Sequence, residues 1–538
     1  MLLSRHGRHR ASSIPQLNIP DLVRPPVQPS VQPKDKPDAT PLPPRLLVLA
    51  IETSCDDTCV AIVEKYGSCA RVIFNHKITS DNREFGGVEP ITAVESHTSQ
   101  IARLVESSLR HLPWTSRNLG PHTLAFDESP RTKHRKPNLI CVTRGPGMTA
   151  SLAVGLTMAK GLAVAWQVPL VGVHHMQAHA LTPRLVSALG KPWHFDWTKG
   201  LEPGPRPRPP TDWAKPLEPA FPFLSLLVSG GHTQLLLSRS ITSHTTLAES
   251  QNAAIGDMLD KCARAILPAD VLAEAEDVMY GAQLEAFAFP DAQQDDLPRY
   301  DYTPPAKRAD EIKAYTSPAH GWFLTPPLAE RRDMAFDFSG LGGQVQAIMR
   351  KDPDMGVDQR RELAREAMRL AFEHVASRII FALDKMAKER QGKQDAGAEA
   401  DPTLVVSGGV ARNRYLLHVL RAVLRARGHD KVKVACPPPE LCTDNAAMIA
   451  WAGAEMYEAG WQSELGVRPI RKWSMDDSGS EPSGSDANAD AAAPDVNANA
   501  NSSNEKKKED RVDGILAADG WLTNEEAAEK RFSLPKKR

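Results

Sequence analysis

The chain has 538 residues, 41% of them hydrophobic and 24% charged, with a net charge of −1. That length allows more than one core, and the near-zero charge excludes a surface positive throughout, so a nucleic-acid partner has to be met by a local basic patch. No run approaches the roughly 18 apolar residues of a membrane span, and the seven cysteines (Cys55, Cys59, Cys69, Cys141, Cys262, Cys436, Cys442), scattered and without CxxC, read as reduced thiols rather than a disulfide frame or zinc knuckle.

In chain order, residues 1–20 carry Arg5, Arg8 and Arg10 among serines, with no acid before Asp21. This is the composition of a mitochondrial presequence, although an extension with incidental charge has the same look. Residues 15–44 are proline-rich and extended. Leu46–Val63 predicts a buried strand, a polar turn and a second strand. A helix over Thr92–Leu109 and a surface insertion at 113–137 follow, then a strand Asn138–Thr143 that turns at Arg144-Gly145-Pro146-Gly147 into a helix Met148–Ala165. The small residues Gly155, Ala159 and Ala163 on that helix predict close packing on a sheet. A strand Pro169–Val173 leads into His174-His175-Met176-Gln177-Ala178-His179 at the next helix start.

After a proline-rich stretch at 190–220 comes the segment Phe221–Leu237: an apolar strand, the turn Ser229-Gly230-Gly231, and a strand of alternating polarity. Its glycines let backbone N–H groups approach an anion, while an ordinary hairpin is the plainer alternative. A short helix Gly256–Ile266, an irregular insertion at 267–335 and a long amphipathic helix Arg360–Lys388 come next. A strand at 403–407 runs into Ser407-Gly408-Gly409, and helix 411–427, strand 431–435 and helix 443–458 complete an α/β half. Trp473 reads as the last ordered anchor, and 474–538 as mostly disordered, with a short helix near Asn524–Arg531. Three such turns, each after a buried strand, predict a duplicated α/β architecture closing on a nucleotide, with halves at 46–220 and 221–473 and a lead-in at 1–45.

His175 and His179 stand four apart, so on a helix both imidazoles share one face and can share one metal ion. The zincin pattern requires Glu after the first His, where this chain has Met176, so metal-assisted peptide hydrolysis is poorly supported. A third ligand has to come from afar. Asp444, in Thr443-Asp444-Asn445, sits at a helix start, where the commoner role of Asp is simply to cap.

Ile51-Glu52-Thr53-Ser54-Cys55-Asp56-Asp57-Thr58, Gly86-Gly87-Val88-Glu89-Pro90, Arg144-Gly145-Pro146-Gly147, His174–His179, Leu227-Val228-Ser229-Gly230-Gly231-His232-Thr233, Asp337-Phe338-Ser339-Gly340-Leu341, Val406-Ser407-Gly408-Gly409 with Asn413, and Thr443-Asp444-Asn445 follow one another in a family order. Together they resemble the tRNA N6-adenosine threonylcarbamoyltransferase family, over about 46–473, and the presequence points to its mitochondrial branch. The resemblance implies a duplicated actin/Hsp70/sugar-kinase fold around a nucleotide and metal cleft. It implies one divalent metal per subunit, zinc or iron, on His175, His179 and Asp444. Donor contacts are implied at Leu227, Val228, Ser229, Gly230 and Gly231, at Asp260, Gly281 and Glu285, and at Ser407, Gly408, Gly409 and Asn413.

The implied reaction moves threonylcarbamoyl from its adenylate to N6 of the adenosine 3′ of the anticodon, in tRNAs reading ANN codons, and releases AMP. Asp56, Asp57 and His232 are the candidate bases for the amine proton. Implied partners are the tRNA anticodon loop, the adenylate, the synthase that makes it, and a second copy of the chain in a homodimer, in the mitochondrial matrix and away from membranes. Gln177 and Asp57 depart from the family, which frequently has Glu at both positions, and Gly281 follows a longer gap than usual. An ATP-dependent kinase or ATPase of the same fold would leave the two histidines idle, and a non-catalytic scaffold would have no need of the full motif set.

Overall fold

Leu46–Ile51 contains no polar residue, so as a strand it has to be covered on both faces. In the computed structural model it lies inside β1 (Arg45–Glu52), in the middle of a seven-stranded sheet. The structure describes residues 45–85, 87–115, 122–125, 133–190, 213–274, 280–293, 300–391, 403–477 and 511–532. The presequence and proline-rich lead-in expected at 1–45 lie outside the described residues up to 44, as do Gly86, most of 113–132, the stretch 191–212 and the low-complexity run 478–510.

β1 pairs antiparallel with β2 (Asp57–Tyr66), and β2 with β3 (Cys69–Thr79). On its other side β1 runs parallel to the strand Leu139–Gly145, which is followed by Leu170–His174, also parallel. The period of two along β1 sorts its side chains between two cores. Leu47, Leu49 and Ile51 pack with α1 (Pro90–Leu109) and α2 (Thr149–Trp166), while Leu46, Val48 and Ala50 face a different layer.

The second sheet repeats the scheme. Strands Phe223–Val228, Thr233–Ser238 and His244–Ser250 form an antiparallel meander, and Leu404–Ser407 then Val434–Ala435 add in parallel beside the first of them. Helices α4 (Ile255–Ile266), Ser339–Lys351, Val357–Gln391 and Arg414–Ala426 share its outer core. Between the two sheets lie α3 (His175–Leu189) and the helix Ala446–Glu458, in one cluster with Leu46, Val48, Phe223, Leu227 and Leu236. The fold thus returns to its first sheet after 446, so the elements after the second sheet do not stay within a 221–473 half.

Two expectations change. α2 is an 18-residue helix apolar enough in composition to cross a membrane, a length the reading of apolar runs did not count; a third of it is buried inside the protein. The tail is also more ordered than its composition suggests. Trp521–Thr523 pairs with Trp461–Ser463 at the edge of the first sheet and Arg511–Asp513 pairs with Lys472–Ser474, while the helix expected near Asn524–Arg531 is present as Asn524–Phe532. A short apolar motif causes this: Ala518 is buried against Ile470 and Trp473, and Ile515 joins the middle layer. Trp473 donates Nε1–H to Gly514 O at 3.0 Å, and the fully buried Arg144 donates to the carbonyls of Arg468 and Asp519. Trp473 is therefore followed by further ordered chain.

Gly453 shows how closely the middle layer packs. A Cβ there would stand 2.9 Å from Cys141 Cβ and 3.1 Å from Val173 Cγ2. Gly453→Ala is expected to lose about 1–3 kcal/mol of stability through overpacking, measured as a lower urea midpoint. An unchanged midpoint would contradict this packing.

Candidate metal and nucleotide site

The two helices of the middle layer begin at the same place. The side chain of His174 caps α3 by accepting from Gln177 N, and its Nε2 meets Trp473 O at 2.9 Å. His175 and His179 follow on one face, their rings 4.8 Å apart. Asn445 caps the helix 446–458, accepting from Met448 N at 3.0 Å. Asp444 is thereby released from the capping role that is commoner for Asp in this position. Its Oδ1 lies 3.0 Å from His179 Nε2 and 3.4 Å from His175 Nε2, and one ligand atom from each of the three residues falls within 4.8 Å of the others.

Glu52, at the end of β1, completes this group and was not assigned a role from sequence. Its Oε2 lies 3.3 Å from His175 Nδ1 and also accepts from Thr143 Oγ1, while Oε1 accepts from Ser54 N at 2.6 Å. Ser54 Oγ is 3.3 Å from the same His175 Nδ1. A carboxylate on Nδ1 fixes the tautomer that leaves Nε2 as the donor to a metal. The signal available in the sequence was an acid ending an all-apolar buried strand, because a buried carboxylate requires a partner. Burial works against a charge on His175, yet Asp444 and Glu52 outweigh it and hold its pKa well above the imidazole range. Burial likewise disfavours the Asp444 carboxylate, and His175 and His179 overcome it, drawing Asp444 well below the usual range. The carboxylates and His175 thus stabilise one another's charged forms in the absence of an ion. Two imidazoles and a carboxylate with one nitrogen already oriented suit a divalent ion of the zinc or iron type.

Both Ser-Gly-Gly turns lie at one end of the second sheet. Leu404–Ser407 and Phe223–Val228 are neighbouring parallel strands, with Ser407 opposite Leu227, so both Ser-Gly-Gly turns emerge side by side from strand carboxyl ends. This is where open α/β sheets bind ligands. Gly408 has φ +100°, and a Cβ there would lie 2.8 Å from Val228 C, so only glycine suits. Ser229 N donates to His232 O at 2.8 Å and His232 N to Ser229 Oγ at 3.0 Å, which closes the first turn. A Cβ on Gly230, Gly231 or Gly409 would meet nothing within 4 Å, so the backbone is open on that side. α4 starts against the same turn: Gly256 N donates to Ser229 O at 3.1 Å.

Asp260 lies further along α4, and a Cβ on Gly281 would stand 3.7 Å from its Oδ1. One turn after Gly281, Glu285 accepts from Tyr415 N and Tyr300 Oη, both at 2.9 Å. Asn413 caps the helix that contains Tyr415 through Leu416 N. Asp260, Gly281, Glu285 and Asn413 therefore surround one corner, despite the long gap before 281. Of the candidate bases, half-buried His232 is held down to about 4 by burial and by His175 and His179, so its ring is neutral at neutral pH. Asp57 is engaged: it pairs with Lys77 at 2.9 Å and accepts from Thr79 Oγ1 at 2.5 Å, and burial raises it to about 6. Asp56 is half-buried, with its pKa raised by burial. Gln177 is buried and donates to Ile241 O at 2.6 Å.

Comparison with known proteins follows the same lines. The family described as "TsaD: tRNA N6-adenosine threonylcarbamoyltransferase" matches residues 71–194 and 213–451. The chain is 32% identical over 441 residues to the mitochondrial tRNA N6-adenosine threonylcarbamoyltransferase of Schizosaccharomyces pombe, covering 80% of this chain and 87% of that one. It is 30% identical to the mitochondrial protein of Rattus norvegicus (79% and 84% covered) and 28% identical to the protein of the same function name from Bradyrhizobium diazoefficiens (82% and 98%).

Glu52→Gln keeps the shape but removes the charge that orients His175. It is expected to weaken metal affinity by about 10- to 100-fold, read by chelator competition. Wild-type affinity in this variant would remove Glu52 from the site.

Proposed function

The chain belongs to the tRNA N6-adenosine threonylcarbamoyltransferase family, and from that premise we propose how its residues carry the reaction. It is a mitochondrial tRNA-modifying transferase that places a threonylcarbamoyl group on N6 of adenosine. The convergence of His175, His179 and Asp444, together with two Ser-Gly-Gly turns emerging from neighbouring strands, is the observation that carries the residue-level reading. The repeated strand order of the two sheets supports a duplicated actin/Hsp70/sugar-kinase fold.

The donor in this reading is threonylcarbamoyl-adenylate, supplied by an enzyme that forms acyl adenylates. The acceptor is the adenosine 3′ of the anticodon in tRNAs reading ANN codons, whose single-stranded loop lets the base turn out without opening a duplex. The open N–H groups around Gly230, Gly231 and Gly409 hold the donor phosphate and then the departing AMP. Asp260, Gly281, Glu285 and Asn413 bind its nucleoside. N6 attacks the carbamoyl carbon, the bond from that carbon to the phosphate oxygen breaks, and the amine proton passes to a nearby base. Neutral His232 ranks first for that role and Asp56 second, because Asp57 is held by Lys77. His175, His179 and Asp444 would hold a divalent ion, which would supply Lewis acidity toward the acyl phosphate.

Purified protein, given the adenylate and unmodified tRNA, is expected to form the modified adenosine, and His175→Ala is expected to slow this by about 100-fold or more. A wild-type protein that fails would end the residue-level mechanism, and an undiminished variant would end the metal assignment. The outer face of α2, with Gly161 and Val164 exposed, supports a homodimer. Light scattering is expected to show a dimer that Val164→Glu converts to monomer; a monomeric wild type would refute this surface.

A further inference from the structure

All seven cysteines carry free thiols, and two of them, distant from every other feature of the mechanism in kind, stand face to face. Cys436 follows the strand Val434–Ala435, and Cys442 ends the short helical turn Pro439–Cys442. Their sulfurs lie 3.9 Å apart across Pro437-Pro438-Pro439. Half-buried Cys436 has its Sγ 3.6 Å from Ala411 O, in the helical turn Gly409–Arg412 that follows Ser407-Gly408. Buried Cys442 donates to Pro437 O at 3.2 Å and stands two residues before Asp444. The hydrogen bond with Cys442 lowers the pKa of the Cys436 thiol against the opposing effect of burial. The thiol pair therefore joins the second glycine turn to the loop that delivers a metal ligand.

We propose that Cys436 and Cys442 are an oxidative modification site, a reversible dithiol–disulfide pair whose closure displaces the Asp444 loop. Cys436 is the sulfur a small disulfide can reach. Its thiolate attacks one sulfur of oxidised glutathione and releases one glutathione. Cys442 then attacks the Cys436 sulfur of the mixed disulfide and releases the second. Two electrons leave the cysteine pair, and its two protons end on the two released thiols. A disulfide requires sulfurs about 2 Å apart, so the pair must close by about 2 Å. Three consecutive prolines stiffen the chain between them, which passes the movement outward to Ala411 on one side and to Thr443 and Asp444 on the other. Oxidation consequently lowers metal retention and slows transfer. This consequence rests on the transferase reading above; the cross-link itself does not.

The test uses the full-length metal-loaded protein equilibrated with oxidised or reduced glutathione. Both cysteines fall on the tryptic peptide Val434–Arg471, which contains no other cysteine. After oxidation that peptide is expected to be two hydrogens lighter and closed to alkylation, with metal content and transfer rate down about tenfold and both restored by dithiothreitol. Cys436→Ser, which alters the more accessible thiol, is expected to keep basal activity and lose the response. A peptide that still alkylates at both cysteines, or stops at glutathione on Cys436, would overturn the proposal. So would an equal loss of activity in Cys436→Ser, or a closed disulfide with metal and rate unchanged. Failure of the transferase reading would leave the peptide result intact, so the two are distinguishable.

Discussion

A single buried carboxylate ties this structure together. Glu52 ends β1 directly after the apolar run Leu46–Ile51 and is 1% exposed. A charge so placed is costly unless every oxygen finds a partner. Thr143 from the neighbouring strand, Ser54 N from its own turn and His175 Nδ1 from α3 provide them. The same contacts that make the charge tolerable fix the angle at which α3 leaves the sheet. They also leave His175 Nε2 aimed at Asp444. The cost of burial and the orientation of a ligand are thus settled by one set of bonds.

The layer between the sheets follows from that constraint. α3 and the helix 446–458 are buried along most of their length, so neither can shift without disturbing both sheets. Their first turns meet, which brings Asp444 to two histidines 265 and more residues earlier in the chain. Caps from His174 and Asn445 satisfy the orphan N–H groups of the helix starts. Asp444 is left with an oxygen directed at the site. Burial, with His175 and His179 adding to it, lowers the pKa of His232 in the first glycine turn of the second sheet.

Much of this was legible in the residues. The strands around Leu46 and Phe223, the helix start at His174 and the strand into Ser407 are short, strongly patterned and flanked by turn residues, so periodicity locates them. HxxxH puts two imidazoles on one face by spacing alone. Three things were not legible. The partner of His175 is 123 residues away, and no local pattern pairs Glu52 with it. The engagement of Asp57 depends on Lys77 and Thr79 lying opposite on β3, a matter of strand register that sequence does not display. In the tail the helix near 524–531 was legible, but the ordered chain before it was hidden because composition averages over a long polar segment, whereas burial needs only Ile515, Ala518 and Trp521 at the right places.

The departures from the family pattern become explicable in the same physical terms. A Glu at 177 would sit one residue from Met176 and two from His179. The Gln177 amide instead donates to Ile241 O, away from the metal ligands, in a buried position where an uncompensated carboxylate would be costly. A neutral donor is the better residue for that carbonyl. The shorter Asp57 still reaches Lys77 and Thr79 because both stand on the strand paired with its own. Neither change touches the contacts among Glu52, His175, His179 and Asp444. The geometry of that group depends on which side chains are oriented by burial, and neither position 57 nor position 177 is among them.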